Sequence, residues 1–162
     1  MARREIMIKI FAIDKIRERA LNASMDIYTK RLHNKIKLEI VELQPAKYIS
    51  FDNIQKAKDF EADKILDMLK KEKNAFVISL HENGKQYTSI EFSKLIFDIM
   101  IHKNIIFIIG GAYGLSEKIL KKSDCLLSLS NMTFTHEMVR LFLLEQAYRA
   151  FTINNNINYH KT

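Results

Sequence analysis

The stretch Ile105 to Gly114, IIFIIGGAYG, sets five consecutive apolar residues directly before a glycine pair, with a third glycine at Gly114. Five apolar residues in a row leave no face for water, so the run reads as a strand buried on both sides, the kind found in parallel sheets. The chain has only four glycines, and Gly110, Gly111 and Gly114 share one window of five residues. Glycine weakens ordered structure and persists where the backbone needs positive φ or must approach something closely. In open α/β sheets, ligands sit beyond the carboxyl ends of the strands. The stretch therefore predicts a small-molecule site beside Gly110 and Gly111.

The surrounding chain alternates strand and helix patterns. Ile8–Ile13 reads as a first strand, and 14–32 as a helix with Asp14 as its N-cap. Ile36–Leu43 nearly alternates and ends at Pro45, giving a second strand. Ser50–Lys73 is a long charged helix whose lysines alternate with acids, a solvated face rather than a nucleic-acid patch. A third strand over Ala75–Leu80 leads to a turn at Asn83-Gly84. A helix capped by Thr88 or Ser89 runs to about His102. After the glycine loop come a short helix at Ser116–Lys122, a strand at Cys125–Leu129, and a helix from His136 to Phe151. This order predicts one α/β domain over 1–162, a mainly parallel sheet with helices on both faces. Residues 1–6 read as an appendage, with Met7 as an alternative start.

No apolar run approaches the roughly 18 residues of a membrane span. The basic start MARREIMIKIFAI lacks a long apolar core and a small-residue cleavage site, so no signal peptide is expected. The lone Cys125 excludes an internal disulfide, suits a reducing cytoplasmic setting, and reads as a buried structural thiol. His33, His81 and His102 show no ligand spacing with any other His or Cys, so no metal is expected. A net charge of +7 favours a polyanionic partner.

The helix from His136 is apolar almost all round between Met138 and Ala150, which predicts burial against both its own sheet and a second subunit. Glu145 and Arg149 stand four apart in the favourable order for an ion pair. The polar tail carries Tyr159-His160, which have no core to join.

GGAYGLS, LSLSNMTFTHEMVRLFLLEQAYRA and the terminal NYHK together resemble the small SPOUT-superfamily methyltransferases. More closely, they resemble the bacterial 23S ribosomal RNA pseudouridine-N3 methyltransferases, over essentially the whole chain from Met7. The resemblance implies an α/β knot, a homodimer in which the chain over about 105–151 threads a deep trefoil. Sequence rules alone exclude knots. It also implies S-adenosylmethionine (SAM) bound in the knot loops, by Leu80, Gly110, Gly111 and the loop Ser130, Asn131, Met132, Thr133, Phe134 and Thr135. The chain departs from the family pattern at His81, commonly acidic, and at Thr135, commonly proline.

By the same resemblance, His136, Arg149, Tyr159 and His160 surround the acceptor side. Methyl transfer to an imide N3 needs in-line alignment and removal of a proton. Arg149 would steady the imide anion or a phosphate, and Tyr159 and His160 would pack against or deprotonate the base, reaching across the dimer. Tyr113 is open to substrate contact, while the other aromatics read as packing. The implied substrate is large-subunit RNA in assembled ribosomes, since no RNA-binding domain is appended. Three alternatives stand beside this: a related enzyme acting on transfer RNA, a non-enzymatic basic RNA-binding module, and a dinucleotide-dependent oxidoreductase. GGAYG does not match the last one's fingerprint.

Overall fold

The structure, a computed structural model, describes residues 7–47 and 53–161. The expected appendage at 1–6 and the expected helix start at 50–52 lie outside the described residues. Five strands, β1 (Met7–Ile13), β2 (Lys37–Leu43), β3 (Ala75–Lys85), β4 (Asn104–Ile109) and β5 (Cys125–Leu127), form one sheet in the order β2-β1-β4-β3-β5. Every pairing is parallel. The apolar run Ile105–Ile109 is thus the central strand, as its composition predicts.

Alternate β4 residues serve opposite layers. Ile105, Phe107 and Ile109 pack with residues of α1 (Arg19–His33), α3 (Ser89–Met100) and α5 (His136–Asn154). Ile106 and Ile108 pack with α2 (Ile54–Leu69) and α4 (Glu117–Lys122). Each fully buried side chain of this kind contributes about 1.5–3 kcal/mol. The two helical layers therefore depend on one strand.

Two local expectations give way. Asp14 does not cap α1: its φ is 71°, its N–H still donates to Leu43 O at 2.8 Å, and the helix begins at Arg19 with Glu18 as N-cap. The aspartate instead turns the chain off the end of the sheet. Nor does a turn end the third strand at Asn83-Gly84. Leu80 and Lys85 both pair with Leu127, so residues 81–84 stand out of the ladder as a bulge within β3. A Cβ on Gly84 would lie 2.6 Å from Leu127 C and 2.7 Å from Leu126 C. This glycine serves close backbone approach. Gly84→Ala is expected to push β5 away and cost about 1–3 kcal/mol; an unchanged denaturation midpoint would contradict this.

The cap of α3 is Thr88, in a full capping box: the Glu91 N–H donates to Thr88 Oγ1 and the Thr88 N–H donates to Glu91 Oε2. Cys125, expected to be buried, is half-buried beside Tyr87 at the start of edge strand β5.

Helix α5 is fastened at both ends. The Ser93 hydroxyl donates to Ala150 O, and Ser89 donates to Gln146 Oε1, each at 2.8 Å, tying it to α3. Near its start, Arg140 is fully buried; Nη1 donates to Glu42 Oε1 at 2.6 Å and Nη2 to Asp14 O at 2.9 Å. Burial lowers the Arg140 pKa, while Glu42 opposes that shift.

Candidate active site

A cleft of about 340 Å³ opens at the carboxyl ends of β3, β4 and β5. Three loops wall it: His81 and Glu82 after Leu80, the glycine turn 110–115, and 127–134 after β5. His136 and Val139 of α5 and Lys58 of α2 complete the lining. The position is the one that parallel sheets give to ligands.

The glycine turn is tight. The Gly114 N–H donates to Gly111 O at 3.0 Å, and Gly114 has φ 76°. A Cβ on Gly110 would stand 2.8 Å from Gly114 C, so the turn closes only over glycine. Beneath it lies Glu61, buried, with Oε1 accepting the Ala46 N–H at 3.0 Å. Burial pushes its carboxyl above the ordinary 4.5, against the pull of that N–H. A raised carboxyl favours the fold below the unfolded value, and that contribution is lost as pH rises through the folded value. Glu61→Gln is therefore expected to gain more stability over wild type at pH 7 than at pH 4, in urea titrations. A gain independent of pH would contradict this.

The 127–134 loop holds itself. The Ser128 hydroxyl donates to Ser130 O at 2.9 Å, and the Met132 N–H donates to Ser130 Oγ at 3.0 Å. Phe134 meets Phe142 edge to face at 5.1 Å, anchoring the loop to α5. His136 Nε2 is buried without a hydrogen-bond partner. Leaving such an atom unpaired is costly, and a polar ligand in the cleft is its natural partner.

Of the residues predicted to bind the cofactor, Leu80, Gly110, Gly111, Ser130, Met132, Thr133 and Phe134 line this cleft, as does His136. Two do not. Asn131 is engaged by Gln86 Nε2, and Thr135 is the N-cap of α5, its hydroxyl accepting the Met138 N–H.

Arg149, Tyr159 and His160 form a second cluster around Glu145. Arg149 Nε donates to Glu145 Oε1 at 3.1 Å, the Tyr159 hydroxyl donates to the same oxygen at 3.0 Å, and Arg149 Nη1 lies 3.2 Å from His160 Nδ1. Tyr159 also stacks edge to face on Tyr148 at 4.9 Å, so the tail is folded onto α5. Burial, with hydrogen bonds to Tyr28 and Glu145, pushes the Tyr159 hydroxyl far above its ordinary value; Tyr159 is a donor. The hydrogen bond to Glu145 raises Arg149. Arg149 stands thirteen positions after His136 on the helix, about 20 Å at 1.5 Å per residue. Within one protomer the predicted catalytic residues therefore stand apart as two groups.

Sequence reasoning passed over Glu61 and Arg140 and read Lys58 as part of a solvated helix face. Only Arg140 carries a signal, as a lone cation inside the apolar run MVRLFLL.

A parallel α/β sheet with a glycine-walled cleft at its carboxyl edge defines an enzyme of the class that holds a nucleotide-like cofactor at the strand ends. A family model described as "Predicted SPOUT methyltransferase" matches residues 6–160, and the chain belongs to that family. It is 43% identical over 159 residues to the ribosomal RNA large subunit methyltransferase H of Clostridioides difficile, covering 95% of this chain and 99% of the relative. Identity to the protein of the same name from Christiangramia forsetii is 45% over 158 residues, covering 94% and 98%. Among solved structures, a methylase family protein from Haemophilus influenzae aligns with TM-score 0.55 at 14% identity, over 96% of this chain and 70% of that one. A Legionella pneumophila chain described as a methyltransferase, solved with SAM, aligns with TM-score 0.51 at 13% identity, over 93% and 67%. These two likenesses concern the fold. The family excludes the non-enzymatic and oxidoreductase readings.

Among the described residues, no helix is long and apolar enough to cross a membrane, and no group of three His, Cys, Asp or Glu could hold a metal ion.

Proposed function

We propose that this chain is a single SPOUT domain that methylates N3 of a pseudouridine in large-subunit ribosomal RNA, working in the cytoplasm on assembled ribosomes with SAM as donor. The observation that carries the reading is the cleft, where the glycine turn and the 130–134 loop converge, in a chain that matches large-subunit RNA methyltransferases over nearly its full length.

SAM would supply an electrophilic methyl group carried on a sulfonium, and N3 must give up its proton to accept it. Leu80, Gly110, Gly111, Ser130, Met132, Thr133 and Phe134 would hold the cofactor. Asn131 and Thr135 would support the loop from outside it. The residues fit such a group: the walls are backbone and small side chains, and His136 offers an unpaired polar atom.

The chain works as a homodimer in this reading. Met138 is exposed and Leu141 and Phe142 only half-buried on α5, an apolar side that a second copy would cover. The partner's α5 would then bring its Arg149 cluster to the cleft. Arg149 steadies the imide anion, Tyr159 donates a hydrogen bond, and His160 takes the N3 proton on Nδ1 as Arg149 turns from that nitrogen to the imide. The knot over about 105–151 belongs to the same reading. Its support is the path of the chain, which leaves α4 on one face, passes through β5 and the 128–135 loop, and returns as α5 on the other face.

Calorimetric titration with SAM tests the cleft, and a failure to bind at millimolar SAM would overturn the assignment. With a net charge of +7, affinity for ribosomes is expected to fall at least about 10-fold between 50 and 200 mM salt. A flat response would remove the charge from the account.

A further inference from the structure

We infer that the α2-side rim of the cleft receives the target nucleotide itself, Tyr113 stacking on the extruded base and Lys58 contacting a backbone phosphate. The inference rests on the RNA-methylation reading and extends it to residues given no role there.

A base to be methylated at a ring nitrogen must leave its stack, and enzymes recover part of the cost by stacking its free face on an aromatic or apolar side chain. Tyr113 and Met132 are exposed, at 36% and 74%, yet both line the cleft, one from the glycine turn and one from the 127–134 loop. Among the described residues, Tyr113 has no ring or hydrogen-bond partner, whereas Tyr28, Tyr148 and Tyr159 are all engaged. Its backbone is closed into a turn by the Gly111–Gly114 bridge, which fixes where the ring leaves the chain.

The charge is placed to match. The Ser116 hydroxyl donates to Asp59 at 2.8 Å, Lys118 pairs with Asp63 at 3.3 Å, and the Glu61 carboxylate lies against Gly111. These contacts fix α2 beside the glycine turn and put Lys58 on the same rim as Tyr113. Lys64, Lys70 and Lys118 all have oxygen partners, but Lys58 forms no ion pair or hydrogen bond among the described residues. A lysine in a cleft mouth with no ion pair among the described residues, next to an exposed aromatic ring, suits a phosphate followed by its base.

The test compares wild type, Tyr113→Ala, Tyr113→Phe and Lys58→Ala, measuring SAM affinity by calorimetry and kcat and KM for ribosomes lacking the modification. Tyr113→Ala is expected to lower kcat/KM for ribosomes about 5- to 150-fold, with SAM affinity within about twofold of wild type. Tyr113→Phe, which keeps the ring, should restore most of the loss. Lys58→Ala should weaken ribosome binding and reduce the salt slope by about one. Unchanged kcat/KM in Tyr113→Ala would overturn the inference. So would a loss of SAM affinity in the same proportion, which would assign the ring to the cofactor. If wild type itself transfers no methyl group, the functional reading fails first; if it does and Tyr113→Ala matches it, only this inference fails.

Discussion

Gly110→Ala is expected to weaken SAM binding on the order of 100-fold, corresponding to the loss of about two backbone hydrogen bonds at about 1.5 kcal/mol each. The added Cβ would meet Gly114 C at 2.8 Å, Gly114 O at 3.1 Å and the Leu115 side chain at 3.1 Å. Two of those atoms are backbone and cannot rotate away, so the turn must open at the proposed cofactor site. Gly114→Ala separates sterics from conformation. Its Cβ would have nothing within 4 Å, but its φ of 76° would strain alanine, at about 1–2 kcal/mol. That variant should lose stability and retain more SAM affinity than Gly110→Ala. Wild-type affinity in Gly110→Ala would remove the glycine turn from the cofactor site.

Arg149→Ala is expected to lower methyl transfer by about 100- to 1,000-fold, the range for removing a group that stabilises developing charge, while SAM affinity stays unchanged. The dissociation of the two effects follows from geometry. Arg149 lies about 20 Å along α5 from His136, outside the lining of its own cleft. In the proposed dimer it reaches a reaction centre from the other subunit. Mixing Gly110→Ala and Arg149→Ala subunits tests this directly. In a two-fold dimer with shared sites, each mixed dimer has one site carrying both defects and one carrying neither, so roughly a quarter of wild-type transfer should return. No recovery, with mixed dimers present, would place Arg149 in its own protomer's site.

The central strand and its glycine turn were legible because they depend on local chemistry: no half-wet strand tolerates Ile105–Ile109, and glycine is costly unless the backbone needs it. The same logic misread Gly84. Beside Asn83 it has the composition of a turn, and only the approach of Leu126 and Leu127 from 42 residues later explains it. Asp14 failed for a related reason. It is a good cap by type, but Leu43 O holds its N–H in the sheet and moves the helix start to Arg19.

At the site, the residues lining one cleft came from four separate segments, and most of the residues that the motif resemblance named for the cofactor lie among them. Asn131 and Thr135 fell outside it because their side chains serve Gln86 and the α5 cap. Glu61 and Lys58 were hidden in a helix whose alternating charges look uniformly solvated. Burial separates the first from its neighbours, and a place in the lining of the cleft separates the second. Both are properties of the folded surface and not of spacing. The division of the expected catalytic residues into two groups is likewise a matter of helix length, visible once His136 and Arg149 share one continuous α5.

Methyl transfer from isotopically labelled SAM to ribosomes lacking the modification, with free ribosomal RNA and transfer RNA in parallel, tests the central claim most directly. The account predicts label on large-subunit RNA of whole ribosomes, at N3 of a pseudouridine. Label confined to transfer RNA, or none on any substrate, would contradict it.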